Sequence, residues 1–132
     1  MIYELELNRG DDIKSSIEKF IIDKGWNFAY ISGGIGSVQN IDLSNPVSNQ
    51  LPPEIEITKL EGPCEVLTFT GEIMKKEYMN EDLKKVYKDD GGDLFIHIHM
   101  SCAGKGAIVY GGGMHSAKVF RGMKIYLQEM NI

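Results

Sequence analysis

The sequence predicts an α+β domain built on a largely antiparallel sheet of about seven strands, with one main amphipathic helix and a short second helix. Three observations carry that reading. Segments that alternate apolar and polar residues outnumber segments with a helical period. A single strongly amphipathic stretch lies near the N-terminus, and 15 glycines supply many tight turns or close backbone contacts. At 132 residues the length is that of one domain, 1–132, large enough to bury a core without staples.

The elements follow in order. Tyr3, Leu5 and Leu7 alternate with Glu4 and Glu6, which predicts a strand over 2–7, turned by Asn8, Arg9 and Gly10. Asp11 or Asp12 then caps a helix in which Ile13, Ile17, Phe20, Ile21 and Lys24 share one face, and Gly25 stops it. Strands are expected over 28–32 and 38–43, on either side of Gly33-Gly34-Ile35-Gly36, and over 54–60. Further strands are expected over 64–74, 94–102, 107–110 and 118–127. Residues 75–93 form a charged interlude whose signs nearly cancel. Within it, Asn80 caps a short helix with Leu83, Val86 and Tyr87 on one side, read as a solvated helix or lid.

Composition excludes several classes. With 42% hydrophobic and 25% charged residues the chain is an ordinary globular protein. No apolar run approaches the roughly 18 residues of a membrane span, and no secretory leader is visible, so a cytoplasmic location is expected. The net charge is -5, and every basic residue except Arg9 and Arg121 is a lysine, which disfavours direct nucleic-acid binding. Cys64 and Cys102 form no Cys-x-x-Cys pattern and read as free thiols, Cys102 on the core face of its strand.

The motif richest in chemistry is Phe95-Ile96-His97-Ile98-His99-Met100-Ser101. In a strand, Phe95, His97, His99 and Ser101 share one face, so two imidazoles stand side by side. Either they share a metal ion with a third ligand, or they are polar residues of a half-solvated sheet face. A hairpin through Gly104 and Gly106 returns Gly111-Gly112-Gly113-Met114-His115 beside this strand, which makes His115 a candidate third imidazole. Glu65 lies inside an apolar strand, on the face of Leu67 and Phe69 by parity. It is therefore either on a wet face or part of a polar site. Ser32 to Ser37 is glycine-rich but lacks a P-loop ending and a following helix, so it reads as a structural turn or bulge.

Taken together, Gly10-Asp11-Asp12-Ile13, Ile31-Ser32-Gly33-Gly34-Ile35-Gly36-Ser37-Val38, Gly62-Pro63-Cys64-Glu65-Val66-Leu67, Gly71-Glu72-Ile73, His97-Ile98-His99-Met100-Ser101 and Val109-Tyr110-Gly111-Gly112 resemble the PPC (plants and prokaryotes conserved) domain, in its stand-alone prokaryotic type, across nearly the whole chain. The resemblance implies a small α+β homotrimer. Plant members join this domain to AT-hooks that contact DNA, and many prokaryotic members carry a DNA-binding label by that association. This chain has no Arg-Gly-Arg core of an AT-hook, so the resemblance brings the trimer more convincingly than DNA.

Family members often show His-x-His followed by Gly-Gly-His-Leu, three histidines that look like a site for zinc or another divalent transition metal. His97 and His99 match the first pair, and the third falls on Gly113. Either the site has lost a ligand and its metal, or His115 compensates from two residues on. The segment 75–93 also looks longer than the family's usual connection and is placed to cover the site. The expected function is a homotrimer with a small-molecule or metal pocket near His97, His99, Glu65 and Gly111 to Gly113. Its chemistry would be metal-assisted, or acid/base work by a histidine beside a carboxylate. The competing expectation is a non-catalytic assembly module that recruits a protein partner or serves DNA-associated complexes.

Overall fold

The structure is a computed structural model that describes residues 1–131. Its strands are β1 (Tyr3–Asn8), β2 (Phe28–Pro46), β3 (Ile55–Leu60), β4 (Cys64–Lys75), β5 (Leu94–Ala103) and β6 (Val109–Glu129). Two helices, α1 (Ile13–Lys24) and α2 (Glu81–Val86), interrupt them. The α+β class, the antiparallel sheet and both helices are as the sequence predicts. The strand count is six, because the predicted strands 28–32 and 38–43 are parts of β2, and 118–127 with the second half of 107–110 are parts of β6.

The merging has a physical reason. Gly33, Gly34 and Gly36 bend β2 instead of ending it, and the pairing with β6 shifts register between Ile31 and Gly33 and again between Gly36 and Val38. Gly36 has φ 152°, and a Cβ there would collide with the Gly122 carbonyl, so the glycine lets two backbones meet at a bend. Gly111 to Gly113 lie inside β6 in the same way.

Strand order is β1-β6-β5-β4-β2-β3, with β2 also paired to β6. The four strands β6, β5, β4 and β2 therefore close on themselves, with β1 added beside β6 and β3 beside β2. β5 pairs with one end of β6, His99 opposite Gly113, and β1 pairs with the other end, Tyr3 opposite Leu127. Between them the turn that leads into α1 is tied to β6 by backbone bonds Val119 N–H to Asp11 O (3.0 Å) and Gly10 N–H to Val119 O (2.9 Å).

The capping residues of α1 act as its sequence implies. Asp12 accepts from the Ser15 amide, and Gly25 closes the helix with φ 70°. Ile13, Ile17 and Ile21 are buried among Ile31, Leu43, Phe69 and Leu127, each such side chain contributing about 1.5–3 kcal/mol of apolar burial. Cys64 and Cys102 are free and buried, as expected. Burial and the neighbouring Cys64 push the Cys102 thiol up to about 12, which keeps it protonated and unreactive.

Parity fails at one place. Val66 pairs with Cys102 and Thr68 with Ser101, so Leu67 is an extra residue in a bulge. The bulge returns Phe69 to the core face with Cys64 and Val66, and Leu67 is exposed. Glu65 does not share a face with Phe69. It is exposed, opposite Ala103 and Ser37.

Candidate functional site

The outer face of β5 carries the chemistry. Ile98, Met100 and Cys102 point into the core, and His97, His99 and Ser101 lie on the other face, together with Phe95, which is itself buried there. The His97 and His99 rings meet edge to face with centroids 4.8 Å apart. Register places Glu72 of β4 opposite His97, and Thr70 opposite His99. The Glu72 carboxylate lies 3.9 Å from Nδ1 of His97, longer than a hydrogen bond but close enough to bias that nitrogen toward carrying the proton.

The charged interlude folds over this face. Asn80 caps α2 by accepting from the Leu83 amide, and the chain leaving the helix drops Tyr87 onto β5. The Tyr87 ring packs at 5.0 Å from Phe95 and 5.4 Å from His97, and its hydroxyl lies 3.2 Å from Nε2 of His97. With Nδ1 protonated toward Glu72, the Tyr87 hydroxyl donates to Nε2. Lys76, before α2, pairs with Asp89 at 2.7 Å and Asp90 at 2.6 Å beyond Tyr87, fastening the two ends of the segment together.

Electrostatics hold His97 neutral. Burial beneath Tyr87, then the adjacent His99, push its titration below the usual imidazole range, and the Glu72 carboxylate only partly opposes them. A neutral imidazole is the form that ligates metals. The sign for stability follows. Below about pH 6.5 the unfolded chain takes up a proton that folded His97 resists, so stability present above that pH is lost as the pH falls. Thermal unfolding scanned downward from neutral pH should show a falling Tm, and His97→Gln should flatten that slope; identical slopes would refute the assignment.

The other candidates separate. Gly113 lies directly opposite His99, at the position where a side chain on β6 would join the two imidazoles. Gly112 and Gly111 continue that pairing opposite Met100 and Ser101. His115 is exposed, beyond the stretch of β6 that pairs with β5. Among the described residues no group of three or more His, Cys, Asp or Glu side chains stands together as a metal cluster. Glu65 is seven positions along β4 from Glu72, the carboxylate that does face His97. Glu72 and Tyr87 were missed as site residues because only strand register and chain reversal reveal them.

The histidine face is half covered: Tyr87 lies over Phe95 and His97, and His99 is exposed. A cleft of about 520 Å³ between α1 and the start of β5 and a second beside Arg121 and Met123 are lined by none of these candidates. A partly covered sheet face without a cavity suits an ion or a surface partner better than a ligand that must be engulfed. The donors on it, neutral His97, His99 and the Tyr87 oxygen, fit a borderline metal ion such as zinc.

The model of the Plants and Prokaryotes Conserved (PCC) domain matches residues 1–131. The chain belongs to this family. Solved structures agree on the fold. A plant- and prokaryote-conserved protein of Pyrococcus horikoshii superposes with TM-score 0.76 at 21% identity, over 100% of this chain and 80% of its own. A metal-containing protein of Archaeoglobus fulgidus gives TM-score 0.74 at 26% identity, covering 98% of this PCC chain and 79% of its own. A protein of Bacteroides thetaiotaomicron, named provisionally for DNA binding, gives TM-score 0.74 at 16% identity over 99% and 80%. No curated protein matches the chain significantly. No helix of this PCC domain is long and apolar enough to cross a membrane among the described residues.

Proposed function

We propose that this PCC domain acts as a homotrimer carrying a metal site on the His97–His99 face of each chain. The observation that carries the metal reading is the pair of imidazoles meeting edge to face on β5, with a phenol oxygen 3.2 Å from Nε2 of His97. The Archaeoglobus relative, described as metal-containing, supports it. A bound ion would supply Lewis-acid chemistry, with Glu72 orienting His97 from behind.

An apolar patch supports self-association. Ile35, Leu67, Ile108 and Val109 are each more than half exposed. Register gathers them at one end of the ring, where Ala103 lies opposite both Glu65 and Val109, and Ser37 opposite Glu65. Exposed aliphatic residues clustered in this way mark an interface. Nucleic-acid binding gains no comparable support from a chain with net charge -5.

Elemental analysis of untagged protein prepared without chelator, paired with sedimentation, tests both parts. The expected result is about one transition metal per chain, lost in the His97→Ala, His99→Ala double variant while the species of triple mass persists. Metal retained in the variant would overturn the site, and a monomeric mass for the parent would overturn the trimer.

A further inference from the structure

The histidine pair lacks a third imidazole, because Gly113 occupies the β6 position opposite His99 and His115 lies outside the cluster. We infer that Tyr87 supplies the missing donor, so that the site is built from His97 Nε2, His99 and the Tyr87 phenol oxygen, brought in by the 75–93 segment. This rests on the metal reading above and deepens it by naming the donor set.

The geometry points there for three reasons. A tetrahedral ion with bonds of about 2.0 Å holds its donors about 3.3 Å apart. The Tyr87 hydroxyl and His97 Nε2 stand 3.2 Å apart, so an ion can replace the bridging proton once the phenol oxygen swings off the Nε2 lone-pair axis at nearly constant separation. The proton leaves to solvent, and the phenol oxygen takes the metal.

The ring is also positioned independently of that contact. Phe95 packs against it at 5.0 Å, while Asn80 at the start of α2 and the Lys76 pairs with Asp89 and Asp90 fix the segment on both sides. Finally, Glu72 faces the other nitrogen of His97, the arrangement by which a carboxylate fixes a ligating imidazole with its Nε2 lone pair outward. A phenol oxygen with two imidazoles leaves a fourth position open to water or a ligand, as in catalytic rather than structural sites.

The test uses copper(II) as an optical probe and zinc for affinity, on the full chain and on Tyr87→Phe, which keeps the ring packed on Phe95. The parent should show a visible phenolate-to-copper charge-transfer band that Tyr87→Phe lacks. Zinc affinity should fall at least about tenfold in that variant, since removing even an outer partner of a ligand costs about 10–100-fold. Adding Gly113→His to Tyr87→Phe should restore zinc affinity without restoring the band. Equal zinc affinity and no band in parent and Tyr87→Phe would overturn Tyr87 as a donor and leave the histidine site standing. A parent that takes up neither metal would overturn both.

Discussion

Gly71→Ala is expected to destabilise the protein by about 3 kcal/mol, near the top of the range for forcing extra atoms into packed structure, and to disturb the histidine face at the same time. Gly71 sits in the middle of β4, opposite Ile98 on β5 and Ile31 on β2. A Cβ at this position would drive into the carbonyl oxygen of His97, with the Ile31 Cδ1 and the Ile98 Cα both at 3.2 Å. A flexible side chain can step aside; a carbonyl engaged in the strand cannot. The strand carrying His97 must therefore shift as a unit. The Tm should drop by roughly 10–15 °C, and any metal uptake should weaken in parallel. A variant within about 0.5 kcal/mol of the parent, the ordinary range for surface changes, would show that β5 slides freely past β4 and would sink the argument.

Phe69→Ala should cost still more, about 3–5 kcal/mol. Phe69 is 1% exposed, and its ring lies over Gly34, whose absent side chain makes the room: a Cβ on Gly34 would stand 3.1 Å from Phe69 Cδ1. Removing the ring leaves a cavity bordered by a residue with nothing to offer it. Gly34→Ala alone should destabilise, yet combined with Phe69→Ala it should recover part of the loss, a coupling between contacting sites that a double-mutant cycle measures by denaturant unfolding. Strict additivity of the two changes would mean that the pair is not packed as described.

Much of this was legible in the chain. Asp12, the isoleucines at 13, 17 and 21, and Gly25 specify α1 locally, because caps and helical period act within a few residues. The same locality makes the outward face of His97 and His99 readable from alternation alone. Glycine clusters misled because a local signal shows where a backbone is free to turn, and in β2 and β6 that freedom is used to let strands cross closely. Leu67 illustrates a second limit. Whether a residue is bulged depends on the partner strand, and here one slipped position decides whether Phe69 or Leu67 fills the core. The site divided along the same line: the imidazoles belong to one strand, whereas Glu72 and Tyr87 reach them through register and chain reversal.

The pairing of β2 with β6 dictates when this protein can form. It joins residue 29 to residue 129, and β1 waits on the same strand, with residue 3 opposite residue 127. Loop closure over such separations comes late and slowly, on a scale of milliseconds to seconds or roughly that for sheet proteins dominated by distant pairings. During synthesis the chain emerges from its N-terminus, so β1 and β2 spend that interval with unpaired edges. A nascent chain stalled before residue 109 cannot close the ring, which makes premature termination, more than most single substitutions, a route to aggregation for this protein.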